Sequence, residues 1–408
     1  MKIKYSGVFI SSVLVLMTGC GSGSEPTTLP SPAPVVTTQQ GNFYLGNISG
    51  VNYVSGNTSG TISTDGEFEY ELIDGIEQPV EFSVAGIELG TTLGKSVVTP
   101  IDLVVDGTVD SVQVINKIAL LRLLSVDPSS KFNVNIDQRL IDNATDFAWP
   151  QPDFTSTEFS TSTQMVQILG DINVFLLSQK SIPTFGESQA YLKQRMYCAA
   201  SGIYYGDIAG DDTGHLTFGI NPIDGSMTTL GWSDTAQNFI FVQAPASPDY
   251  AGAIRFVSGA SLSGDNYDGV ITHFSVAQGT WTNTIAQTSG TFTAQHLDRD
   301  VSAVHHFSAA YIAVYPVFGP GPAGTYSFSL HQDGTVTGTQ VNIAFGSTTT
   351  TPITGTWDSG LLSATVEGGA AINASLDFGN MAMFGEWSDS NAPITSGGII
   401  GTGCQLNE

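Results

Sequence analysis

Basic side chains are scarce. Twelve Lys and Arg stand against 37 Asp and Glu in 408 residues, a formal charge of −25. Nucleic-acid binding needs a basic footprint that displaces counterions, and adhesion to anionic lipid needs a polybasic patch; the composition excludes both. The acidic surplus suits solubility in a salty exterior, where screening weakens self-repulsion. Catalytic motifs are missing as well. No Gly-x-Ser-x-Gly run presents a serine nucleophile, although a triad gathered from distant positions needs no motif. No His-Glu-x-x-His or paired Cys-x-x-Cys occurs, so zinc is unsupported. The apolar run near the N-terminus is shorter than the about 20 residues of a membrane-spanning helix.

Cysteines number only three. The first closes a patterned N-terminus: Lys2 and Lys4, an apolar stretch from Val8 to Met17, then Leu16-Met17-Thr18-Gly19-Cys20. A short positive region followed by a short hydrophobic one has the form of a secretory signal. The sequence ahead of Cys20 resembles the bacterial lipobox, with Met17 where Leu is commoner. That resemblance implies cleavage before Cys20, lipidation of Cys20 and stable anchoring by several acyl chains. It also implies an exported protein, and Gly21 in place of Asp favours the outer membrane. The alternative is a plain signal peptide cut elsewhere, leaving Cys20 an ordinary thiol. Cys198 and Cys404 then remain as an even pair in an oxidising compartment and are expected to form a disulfide, against the alternative of two free buried thiols.

Composition divides the chain. Residues 1–19 read as the signal peptide and 20–41, rich in Ser, Thr and Pro, as a disordered tether. Residues 42–99 read as a small β-sandwich. There Phe68, Tyr70 and Leu72 alternate with Glu67, Glu69 and Glu71, giving one buried and one wet face, and Asp-Gly pairs bracket the run. The stretch from Ser59 to Phe68 resembles transthyretin-like β-sandwich modules. Residues 100–197 are helical in tendency: Val112–Leu124 is apolar nearly all round, Gln164–Leu177 is a helix broken or bent near Gly170, and Thr184 with Glu187 forms a capping box.

From Cys198 onward the pattern is all β, in two units, 198–300 and 301–408. Gly214-His215-Leu216-Thr217-Phe218 matches Gly324-Thr325-Tyr326-Ser327-Phe328, and Gly279-Thr280-Trp281 matches Gly385-Glu386-Trp387, at offsets of 110 and 106 residues. Near-constant offsets point to two related antiparallel barrel or meander units of roughly eight strands. Their glycine-aromatic ends resemble the barrel domains of surface lipoproteins that bind host proteins. The fold class is therefore mainly β with a central helical segment.

Candidate sites are few. Trp232, Trp281, Trp357 and Trp387 follow Gly or Gly-x, as at strand starts; they serve either as barrel packing or as an aromatic platform for sugar or lipid. Asp207, Asp211 and Asp212 form one acidic turn and Asp265 and Asp268 another. Either could offer oxygens to Ca²⁺, though solvated hairpin tips explain them equally, and no other cofactor is implied. His273 alternates onto a polar face. His305 and His306, being neighbours on a strand, cannot share one metal. Leu89–Ser96 superficially suggests a phosphate loop but has the wrong glycine spacing, and reads as a turn between strands. The expected function is a membrane-anchored binding, adhesion or structural module, not an enzyme, with a protein, glycan or lipid ligand. The rivals are a barrel carrier of a small apolar ligand and a secreted hydrolase using a carboxylate pair.

Overall fold

The computed structural model describes residues 33–64, 66–130, 133–248, 253–257, 264–272, 274–297, 300, 302–315, 319–344, 347–389 and 396–405. The signal peptide, Cys20, the first part of the tether and His273 lie outside the described residues.

Two four-stranded sheets form the N-terminal body. One places Val36–Phe43 between Glu67–Ile73 and Val97–Val98, with Ile76–Glu77 at its edge; the other runs Thr58–Thr61, Asn52–Ser55, Pro79–Val84, Ile87–Leu93. Phe43, Phe68 and Phe82 pack between them, with ring centroids 4.9 and 5.2 Å apart. Two sequence expectations change here. Residues 36–41, assigned to the tether, are strand: Val36 to Asn42 pair in register with Ile73 to Glu67, and the β-branched run Val35 to Thr38 suits that pairing. Glu71, expected on the wet face, is buried. Its Oε1 accepts from the Asn57 amide at 2.8 Å, so the carboxylate caps the turn between Asn52–Ser55 and Thr58–Thr61. In the phosphate-loop look-alike, Leu89 to Leu93 are strand, with Gly90 beside a bulge opposite Phe82 and Ser83, and only Gly94 to Ser96 make the connection to Val97–Val98.

Five α-helices are described: α1 Val112–Leu124, α2 Gln138–Asp142, α3 Ala144–Phe147, α4 Thr163–Leu176 and α5 Phe185–Ala200. Helix α1 is buried over most of its surface, as its sequence requires, and even Lys117 is interior. Helix α4 passes Gly170 without a break, and the glycine faces open space. Helix α5 begins with the capping box, Thr184 Oγ1 accepting from the Glu187 amide at 3.2 Å and Glu187 Oε2 accepting from the Thr184 amide at 2.8 Å. The Tyr191 hydroxyl then donates to the Leu45 carbonyl (3.1 Å), and the Tyr44 hydroxyl to the Arg195 carbonyl (3.2 Å), which ties this helix to the sheets.

The rest is strand. Gly202–Gly210 through Thr288–His296 make one closed eight-stranded barrel, and His305–Tyr315 through Ser396–Gln405 make a second, each in sequential antiparallel order. Each closes by pairing its first strand with its last. Closure removes the free edges that an open sheet of this length would expose. The repeat is visible in the packing: Val276–Asn283 and Ala382–Asp389, 106 residues apart, share one alternation of buried and exposed positions, residue for residue. The first barrel's core is continuous with that of the N-terminal body, whereas the second has a separate core.

Candidate functional site: packed interiors and unequal outer faces

Strand alternation decides what each barrel can offer. In the first, Tyr204, Phe218, Phe256, Phe292 and Tyr267 point inward and form an unbroken line of rings, at centroid spacings of 4.8, 5.7, 5.8 and 5.6 Å. Tyr204, Phe218 and Phe256 are at most 1 % exposed, so no water-sized space adjoins them. In the second, Tyr311 stacks on Tyr326 at 4.5 Å, and Phe307, Phe328 and Trp387 complete the filling. Burial raises the Tyr311 and Tyr326 hydroxyls well above the ordinary phenol range. Among the described residues these interiors are filled by side chains, as in small closed barrels.

The four tryptophans lie towards strand ends and not at strand starts. Trp281 is interior, its indole N–H donating to the Ala209 carbonyl at 3.1 Å. Trp387 occupies the equivalent place in the second barrel, against Tyr311. Trp357 is half-buried at a barrel mouth, bonded to the His331 carbonyl (2.9 Å) and packed on Phe378. Trp232 points out of the first barrel but is covered: with Leu230 it meets Ile343 of the second. Three of the four rings are thus interior or interfacial, and Trp357 is the one that is partly exposed, at a barrel mouth.

That contact belongs to an interface between the barrels. Thr217 and Thr325, on facing outer surfaces, share a hydrogen bond of 3.0 Å between their hydroxyls. A cavity of about 160 Å³ beside them is lined by neutral residues including Thr228, Ser308 and Ile400. The Cys198–Cys404 disulfide lies near this seam, with 5.7 Å between Cα atoms, and joins the end of α5 to the last strand of the chain. Cys404 pairs in register with His306, which is buried with Nε2 3.4 Å from the Ser308 hydroxyl. His305, on the opposite face as expected, sits against Phe378, and burial lowers its basicity.

The acidic turns are engaged locally. Asp207 pairs with His215 (2.7 Å), Asp211 accepts from the Ser289 amide (2.9 Å), and Asp212 accepts from the Ser233 hydroxyl (2.5 Å). Asp265 accepts from Asn283 (2.8 Å). Among the described residues no group of three or more His, Cys, Asp or Glu is placed to hold a metal ion.

The feature that sequence reading missed is on the outside of the second barrel. Leu361, Phe384 and Ile400 are 64 %, 56 % and 69 % exposed. Phe384 is the register partner of both Ser375 and Ile400, and Ser375 pairs with Leu361, so the three side chains form one row across four strands. Below the row the sheet is concave. An open depression of about 660 Å³ is lined by Leu361, Phe384, Ser363 and Asn373, with Asp358 and Glu386 as its charges. The first barrel has a smaller depression, about 370 Å³, around Tyr205, Asp207 and Thr293. The backbone positions of Asp358 and Glu386 stand three strands and two residues apart, about 16 Å at 4.8 Å per strand and 3.4 Å per residue. A carboxylate pair acting on one glycosidic bond is closer, about 5–10 Å.

No family model matches the chain, and no curated protein matches it. Among solved structures, kievitone hydratase from Nectria haematococca is 8 % identical, covering 51 % of this chain and 90 % of its own, with a TM-score of 0.22. A protein of unknown function from the DUF3598 family of Nostoc punctiforme is 10 % identical (51 % and 97 % covered, TM-score 0.16). The N-lobe domain of lactoferrin binding protein B from Moraxella bovis is 7 % identical (50 % and 100 % covered, TM-score 0.18).

Proposed function

We propose that the chain is an envelope lipoprotein of the outer membrane, held by acyl chains on Cys20, whose barrels form a non-enzymatic binding module that meets its partner through outer sheet faces. The observation that carries this is the inversion of the usual carrier design. The barrel interiors are closed by aromatic packing, while the second barrel presents large apolar side chains on a concave exterior. An exposed apolar patch rimmed by polar groups marks an interaction site. The separation of Asp358 from Glu386 argues against the hydrolase alternative, and the packed interiors argue against the carrier.

Two measurements test the reading. Palmitate labelling of the wild type and of Cys20→Ala reports the anchor: label that survives the substitution overturns it. Glycan-array and protein pull-down panels with the whole mature chain report the binding role: no ligand in either, together with turnover of an envelope polymer, overturns it. The whole mature chain is required because truncation at Asn42 would delete most of the Val36–Phe43 strand.

A further inference from the structure

The two barrels supply their own comparison. Inward positions of Val276–Asn283 and Ala382–Asp389 correspond closely: Gly279 with Gly385 and Trp281 with Trp387, while Ala277 and Met383 are both apolar. Of the outward positions, the two central ones do not. Gln278 becomes Phe384, and Thr280 becomes Glu386. On the neighbouring strand, Gln278 pairs with Thr293, whereas Phe384 pairs with Ile400. A polar pair on the first barrel is therefore an exposed apolar pair on the second, with a carboxylate two residues along. Core packing asks for none of these outward changes.

Charge selects the occupant. Residues 301–408 contain seven Asp and Glu and no Lys or Arg. The depression contains Asp358 and Glu386 and no cation, and Glu386 has no hydrogen-bond or ion-pair partner among the described residues. Anionic ligands and anionic lipid are repelled from such a face. A neutral sugar would stack on Phe384 but has less use for the aliphatic Leu361 and Ile400. Phe384 and Glu386 lie two residues apart on one strand, about 6.8 Å, which matches the same-face spacing of an extended peptide lying alongside. The closed barrel offers no edge for strand addition, so contact is by side chains on the face.

Resting on the binding-module reading above, we propose that the outer face of the second barrel, built on Leu361, Phe384, Ile400, Asp358 and Glu386, docks a partner polypeptide that alternates large apolar with Lys or Arg side chains.

The test titrates the whole mature protein with a synthetic peptide repeating Leu-Ser-Lys-Ser, its Leu-Ser-Glu-Ser counterpart and a neutral glucose oligosaccharide. The Lys peptide is expected to bind, more weakly as salt rises, and the Glu peptide to fail. Phe384→Gln with Ile400→Thr installs the first barrel's own pair, which this fold already accommodates, and is expected to weaken binding by about tenfold or more. Glu386→Gln is expected to weaken it several-fold, and Asp224→Asn, a charge-matched change on the first barrel, to leave it within about twofold. Equal losses from Asp224→Asn and Glu386→Gln, with no loss from the Phe384/Ile400 variant, would show a general field effect and overturn the proposal. Binding of the oligosaccharide at Phe384 without binding of the Lys peptide also overturns it, while leaving the binding-module reading intact. Failure of every probe overturns it too, and the panels above then decide the wider reading separately.

Discussion

Replacing Cys198 and Cys404 together by alanine is expected to loosen the second barrel selectively. The bond closes a loop of 206 residues, for which loop-closure entropy gives about 5 kcal/mol. While the first barrel remains folded the effective loop runs only from His296 to Cys404, 108 residues by 404 − 296. The logarithmic dependence on length lowers the value by just about 0.6 kcal/mol. Other couplings across the seam include the Thr217–Thr325 hydrogen bond and the cluster of Leu230, Trp232 and Ile343, but they join outer sheet faces and not the two cores. The second barrel's core is separate, so the lost restraint falls on that barrel, while the first shares its core with the N-terminal body. Alanine is chosen because both sulfurs are buried, and serine would leave hydroxyls there that need partners. Amide hydrogen exchange read by peptide resolves the effect. With about 3–5 kcal/mol removed, the slowest amides of residues 305–405 should exchange about two to three and a half orders of magnitude faster, and those of residues 36–200 should change by less than about tenfold. Equal acceleration across both regions, or none in residues 305–405, would refute the reasoning.

Three further outcomes are expected. Trp281→Phe should cost about 1 kcal/mol more than Trp387→Phe in denaturant titrations: it removes the bond from the indole N–H to the Ala209 carbonyl, whereas the Trp387 indole N–H has no partner among the described residues. Equal costs would contradict the geometry. Gly385→Ala should abolish folding of the second barrel, seen as loss of its near-ultraviolet signal, because a Cβ there would lie 2.2 Å from the Asn373 carbonyl oxygen. A soluble, fully folded variant would show that the strands can separate at little cost. Lys117 is buried with Nζ donating to the Leu103 carbonyl at 2.8 Å, and burial lowers its pKa from 10.5 to about 8, partly offset by Glu88. The unfolded chain binds more protons between those values, so stability should rise as pH climbs from about 8 to 10.5, by up to about 3 kcal/mol. Lys117→Met should flatten that rise in urea midpoints measured across the range, and an unchanged slope would place the charge in solvent.

What was legible in the sequence followed from short-range rules. Helix α5 announced itself through Thr184 and Glu187 because a capping box is a three-residue relation. Helix α1 announced itself through an apolar run without Gly or Pro. The two barrel units were legible because matching glycine-aromatic pairs recur at fixed offsets. Long-range relations were hidden. Glu71 reads as a wet-face residue until the neighbouring sheet brings the Asn57 amide over its carboxylate. Val36 to Gly41 read as tether until their partners at 68–73 are known. Trp232 points outward by strand parity, yet is buried because a second barrel lies against it. No local pattern encodes that neighbour.

The exposed row on the second barrel was hidden for a different reason, and was recoverable. In Ala382–Asp389, Met383, Phe384 and Trp387 compete for the inward face, and period two allows only one parity. Choosing Met383 and Trp387 forces Phe384 and Glu386 outward together. Sequence alone leaves the choice open, since Phe384 is as plausible a core residue as Met383. The repeat settles it: Trp281 and Trp387 stand at equivalent positions, and Gly279 and Gly385 sit two residues before each on the same face. If the tryptophan is inward in both copies, Gln278 is outward in the first and so is Phe384 in the second. A polar residue tolerated at that position in one barrel shows that the position does not require an apolar side chain for folding. The phenylalanine in the other barrel is therefore free of any core requirement, and that freedom is what the proposed docking face depends on.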